Sequence, residues 1–199
     1  MTAQINDDFL YNEHRFNISA IEFPEKFFDV KEFGVKPVFV HTACWRGYLA
    51  EFSILNGTLI LKNFNTNSID KNYQPIAING VLPKVYKRNS SNFSRFLKGN
   101  VQYKDLNMVI PYNGRVLITD VFIRERYVHM GFHSPLNYVI VIELTFDNGM
   151  LTNSVDLSDV VAILREKQEL EPEGSKYSRL PSWIEDSFDL SYDKKFNFK

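Results

Sequence analysis

The chain has 199 residues, 44% of them hydrophobic and 24% charged, with a formal net charge of −1. That length suits a single domain, and a charge so close to zero gives no bulk electrostatic pull towards nucleic acid or membrane. The one cysteine, Cys44, excludes an internal disulfide and fits a reducing compartment.

From the N-terminus, Met1 to Asp8 is polar and acidic, with no basic region leading into an apolar run, so a cytoplasmic protein without a signal peptide is expected. Apolar stretches fall short of the roughly 18 residues a membrane span needs. Asn-Gly then recurs at Asn56-Gly57, Asn79-Gly80, Asn113-Gly114 and Asn148-Gly149. This dipeptide is the strongest short-range hairpin signal, because a type I′ turn needs positive φ at both central residues. A two-residue turn at Asn56-Gly57 places Ile54 opposite Leu59, Phe52 opposite Leu61 and Glu51 opposite Lys62. Pro75 and Pro83 shorten any strands around Asn79-Gly80. Between Lys71 and Lys104 lie seven basic residues and no acidic one, rich in Ser and Asn, which reads as an exposed loop with a helical turn across Ser91 to Lys98.

The Asn113-Gly114 turn pairs Ile110 with Leu117 and Val109 with Ile118. That at Asn148-Gly149 puts Ile142, Leu144, Phe146, Leu151 and Val155 on one face. Asp156 caps a helix to about Leu170 with an apolar stripe of Leu157, Val160, Val161 and Leu164, stopped by Glu171-Pro172-Glu173-Gly174. Ser182 and Glu185 have capping-box spacing before Trp183, Ile184 and Phe188. From Ser191 the tail is expected to fray.

These elements predict a mainly β fold (α+β by strict count): an antiparallel, hairpin-built sandwich or partly open barrel with one or two C-terminal helices. Residues 1–199 read as one domain. Glu51 to Leu59 aligns with Glu143 to Leu151 at a constant offset, which suggests two similar halves, about 9–100 and 101–170, with 171–199 as an extension. The competing explanation is that amphipathic hairpins resemble one another.

Cys44-Trp45-Arg46-Gly47-Tyr48 is the densest local motif. Trp45, Arg46 and Tyr48 are the residue types that dominate binding hot spots. A structural alternative is a bend at Gly47 with Cys44 buried and Arg46 stacked on Trp45. A catalytic alternative makes Cys44 a nucleophile with His129 or His133 as base, since strand alternation sets His41 and Cys44 on opposite faces. His41, His129 and His133 could instead ligate a metal, with Glu125 or Glu143 orienting a ligand. HxxxH without an internal glutamate is a weak metal signal, and no cofactor motif is present, so neither metal nor cofactor is expected. Asp120, Arg124, Glu125 and Arg126 could supply glycosidase carboxylates, but they read better as a solvated strand end. Lys84, Lys87, Arg88, Arg95 and Lys98, interleaved with Tyr86, Phe93 and Phe96, could stack single-stranded nucleic acid. Docking on an acidic surface is the better reading.

The segments Thr42 to Tyr48, Tyr127-Val128-His129-Met130-Gly131-Phe132 and Glu143 to Leu151 resemble a family of uncharacterised bacterial proteins of similar length, over roughly Asp8 to Val160. That resemblance implies a cytoplasmic bacterial origin and carries no activity, cofactor or catalytic residue.

The expected function is that of a non-enzymatic binding protein with a protein partner, of inhibitor or immunity type, using Trp45, Arg46 and Tyr48. Its competitors are a Cys- or metal-dependent hydrolase and a β-barrel holding a small ligand among phenylalanines. Partner identity and oligomeric state stay open.

Overall fold

The computed structural model describes residues 2–39, 41–70, 74–87, 99–169 and 186–196. Its frame is a pair of tight hairpins. Asn56 and Gly57 have φ of 51° and 77°, and Asn148 and Gly149 have 47° and 80°, the paired positive values of a type I′ turn. The first joins β3 (Tyr48–Leu55) to β4 (Thr58–Thr66), the second β9 (Tyr138–Asp147) to β10 (Met150–Asp156). Asn79 and Gly80 also turn tightly, closed only by the Ile78–Val81 bridge.

The other strands are β1 (Asp8–Tyr11), β2 (His14–Ile21), β5 (Lys84–Val85), β6 (Val101–Tyr103), β7 (Met108–Val109) and β8 (Gly114–Phe122). The sheet runs β10-β9-β8-β2-β1-β3-β4-β6-β5, with β7 also on β4. It then bends round so that Met150 pairs with Thr58. The two hairpin tips exchange hydrogen bonds there, Leu59 N donating to Gly149 O at 2.7 Å and Leu151 N to Gly57 O at 2.8 Å. The result is a mainly β, partly ringed sheet with few helices. No helix among the described residues is long and apolar enough to cross a membrane.

The sheet is mixed rather than antiparallel throughout, because β1 and β3 are parallel. Residues 22–47 separate β2 from β3, enough chain for the crossover that parallel pairing demands. That segment carries helix α1 (Pro24–Phe27) and a 3₁₀ turn at Val30–Phe33.

Packing explains the strand order. β8 is buried on both faces: Val116 and Ile118 join the core inside the ring with Phe9, Phe52, Phe64 and Phe146, while Leu117 joins a second cluster. That second cluster lies beneath α2 (Ser158–Glu169) and the single turn α3 (Tyr192–Lys195). Arg165 clamps α2 down, donating to Leu136 O at 2.9 Å and Tyr138 O at 2.6 Å.

Several expected registers shift. A bulge between Glu51 and Phe52 moves Glu51 from Lys62 to Asn63, whose amide donates to it at 2.8 Å. A second bulge at Thr152 turns Val155 to the exposed side opposite Glu143. Asn113-Gly114 makes no hairpin: β7 pairs with β4 through Ile60–Val109, and Asn113 instead accepts from Asn148 N at 2.7 Å. Asp156 accepts from Ser158 N as a cap, but Val160 points outward while Leu157, Val161 and Leu164 pack inward. Over residues 191–196 the tail is docked, since Ser191 bridges Ile21 and both Tyr192 and Lys195 are buried. The turn expected across 91–98, the stop at 171–174 and the capping box at Ser182 and Glu185 lie outside the described residues.

Gly57 and Gly149 occupy equivalent turn positions, yet their surroundings differ. A Cβ on Gly57 would meet only the tip of Met150 at 3.5 Å, whereas one on Gly149 would meet Ile110 O at 2.5 Å. Gly57→Ala is expected to cost about 1 kcal/mol for positive φ alone. Gly149→Ala should cost about 2 kcal/mol more through overpacking. Urea denaturation of the two variants checks the difference.

Candidate functional site

Arg46 lies in the loop before β3. Cys44 N donates to His41 O and Gly47 N to Cys44 O, so the chain folds back on itself at this point. Gly47, at φ 74°, lets the turn approach Val38 to a distance no side chain allows. The turn sends Arg46 inward and Trp45 outward.

Arg46 Nη1 donates to Asp7 Oδ2 at 2.6 Å, and Nη2 to Ile5 O at 3.3 Å. Its guanidinium lies 4.9 Å from the Tyr48 ring centroid and 5.1 Å from that of Phe132, so it packs on these rings rather than on Trp45. Asp7 is itself buried, and its other oxygen accepts from Ala50 N at 2.8 Å. Burial pushes the Tyr48 hydroxyl up to about 12.

Above this ion pair opens a pocket of about 410 Å³, lined by Asp7, Ile21, Arg46, Tyr48, the aromatic residues Phe27, Phe28, Phe132 and Phe188, and Pro24, Asp189 and Leu190. α1 supplies one wall and the C-terminal segment another. That segment is fastened by main-chain bonds, Phe132 N donating to Ser187 O and Ile21 N to Leu190 O, each at 2.7 Å. Gly131 makes this seat possible, for a Cβ there would fall 2.3 Å from Ser187 O. Below it, Lys195 Nζ donates to Phe132 O at 2.9 Å and Ser187 O at 3.2 Å.

Of the residues singled out in the sequence, Arg46 and Tyr48 line the pocket. Trp45 is exposed beside it, its ring 5.5 Å from Phe188 and 6.2 Å from Phe39. Cys44 is buried below the loop, its thiol donating to Tyr48 O at 3.2 Å, and burial pushes the thiol pKa up. His129 meets the Tyr127 hydroxyl through Nδ1 at 3.1 Å. His133 packs 4.7 Å from Phe122, its Nε2 3.1 Å from Val128 O, and burial holds its pKa down. His41 does not join them at a metal centre: among the described residues, no group of three or more His, Cys, Asp or Glu side chains is placed to hold a metal. Asp120 accepts from the adjacent Val121 N, and Arg124 and Glu125 are exposed on a 3₁₀ turn. Glu143 belongs to an ionic cluster, where Arg115 pairs with it at 3.6 Å and with Glu22 at 3.0 Å, and the Tyr192 hydroxyl donates to Glu143. Lys84 lies over Tyr86, while Arg88, Phe93, Arg95, Phe96 and Lys98 fall outside the described residues.

Asp7, Phe27, Phe28, Phe132, Phe188 and Asp189 were not identified as site residues from the sequence. Only Phe132 carried a local signal, as the last residue of the Tyr-Val-His-Met-Gly-Phe segment.

No protein family, curated protein or solved structure gives a significant match to this chain. The resemblance to an uncharacterised bacterial family therefore rests on the sequence motifs alone.

Two outcomes follow from these environments. Native Cys44 should react with a thiol reagent roughly a hundred-fold more slowly than in denaturant, as expected of a buried thiol of raised pKa. A stopped-flow comparison measures this. Burial also brings the Lys195 ammonium down to about 8 from 10.5. Between those values the unfolded chain binds more protons, so stability rises with pH from about 8 and falls back as pH drops to 8. Urea melts of the native chain against Lys195→Met should diverge in favour of the native chain between about pH 8 and 10; a constant difference contradicts the assignment.

Proposed function

We propose that this is a non-enzymatic binding protein that recognises a protein partner through the aromatic pocket and the adjacent Trp45, in the manner of an inhibitor or immunity protein. The observation that carries the reading is the convergence of Arg46 and Tyr48 with Phe27, Phe28, Phe132 and Phe188 on one pocket. Pockets of this size, with apolar walls and few polar groups, are ordinary recognition sites. Trp45, more than half exposed, extends that surface through its contact with Phe188. Trp, Tyr and Arg are the residues on which interface energy concentrates.

The hydrolase reading draws on Cys44, His129 and His133, none of which is among the lining residues. A small-ligand reading uses the same pocket and differs only in its occupant. A cytoplasmic setting is part of the proposal, supported by the single cysteine, which fits a reducing compartment.

The test is affinity capture from native lysate with the intact chain and with a Trp45→Ala, Phe188→Ala variant, both verified as folded by circular dichroism. These side chains leave the Arg46–Asp7 pair untouched. The variant is expected to lose its partner, with affinity down by at least about 30-fold. A folded variant that keeps every partner removes the reading.

A further inference from the structure

Resting on the binding reading above, we propose that the pocket accepts an uncharged apolar group bearing a carbonyl acceptor: a phenylalanine- or leucine-type side chain with its adjoining peptide amide. The walls select the apolar part. Eight of the eleven lining residues (Ile21, Pro24, Phe27, Phe28, Tyr48, Phe132, Phe188 and Leu190) are apolar or aromatic. Offset and edge contacts among such rings favour another flat or branched apolar group. A volume of about 410 Å³ holds one such residue with its amide.

The polar groups select the rest. A guanidinium has five N–H donors. Arg46 spends one on Asp7 and one on Ile5 O, with its flat face over the Tyr48 and Phe132 rings. Three of the five donors remain on a side chain that lines the pocket. They call for an acceptor, and the charges around them call for a neutral one. Asp7 already balances Arg46, so a ligand carboxylate would enter against Asp7 and against Asp189, which also lines the pocket. A ligand ammonium would enter against Arg46. Asp189 is itself occupied, accepting from Ser191 N and pairing with Lys194 at 3.1 Å. A carbonyl meets the spare donors without adding a charge, and a peptide amide supplies one beside every side chain.

The test uses the full chain carrying Trp183→Phe, which leaves Trp45 as its single tryptophan, stacked on the Phe188 wall. Its emission is followed during titration with N-acetyl-phenylalanine amide, with N-acetyl-phenylalanine as the carboxylate, and with phenylalanine amide as the ammonium. The Phe132 and Leu190 amide resonances are followed in parallel by NMR. The neutral amide is expected to saturate with a Kd of about 1 mM, as suits a fragment of its size. Both charged forms should bind at least about tenfold more weakly. Arg46→Lys keeps a cation for Asp7 but loses the planar fork, and should weaken the neutral amide about tenfold. Phe188→Ala should do the same by opening the wall, and serves if Arg46→Lys fails to fold. Equal or tighter binding of either charged form overturns the proposal, as does no saturation by the neutral amide at about 20 mM. If the amide fails while the Trp45 and Phe188 substitutions still abolish partner capture, the ligand class falls and the binding reading stands. If the amide binds while those substitutions keep every partner, the ligand class stands and the protein-partner reading falls.

Discussion

One buried carboxylate organises the centre of this protein. Asp7 sits just before β1, where three strands meet. Its carbonyl accepts from Ile18 N on β2, one carboxylate oxygen from Ala50 N on β3, and the other from Arg46. A buried charge survives only when it is paired and hydrogen-bonded, and Asp7 is both. The same contacts hold β1 between an antiparallel and a parallel neighbour and set the floor of the pocket. Strand order and site geometry thus share a single electrostatic constraint. Loss of either member of the pair would leave the other charge stranded in a mostly apolar setting.

The pocket is built from segments far apart in the chain: the approach to β1, the end of β2, α1, the turn before β3, the loop at Phe132 and the C-terminal residues 188–190. What gathers them is mostly main chain. Gln4 N donates to Gly131 O, and Phe132 N to Ser187 O, so the loop at 131–132 is gripped from both sides. Such bonds depend little on side-chain identity, which leaves the pocket walls free to differ in chemistry while the frame stays fixed.

This division also explains what could be read from the residues. Three asparagine–glycine dipeptides make tight turns because both residues tolerate the positive φ that such a turn requires. Asn12 and Glu13 adopt the same positive φ between β1 and β2 with no glycine to mark them. Asn113-Gly114 carries the mark without the hairpin, because pairing of β7 with β4 outcompetes it. Bulges at Glu51 and Thr152 depend on non-local packing and leave no local trace. Trp45, Arg46 and Tyr48 stand out by residue type, but only the Gly47 turn decides that Arg46 faces in and Trp45 out. Asp7 and Phe188 were illegible because their importance lies wholly in which distant residues they touch.

The meeting of the two hairpin tips carries a consequence for how the molecule is made. Thr58 and Met150 are neighbours in the ring but lie on either side of most of the sheet in the chain. During synthesis the first hairpin emerges long before its counterpart exists. The early strands must wait with one end of β4 uncovered until the ribosome has delivered β10. The Asn56-Gly57 reversal therefore has two duties separated in time: it first holds a lone hairpin together, and later offers Gly57 O as an acceptor that lets the sheet shut.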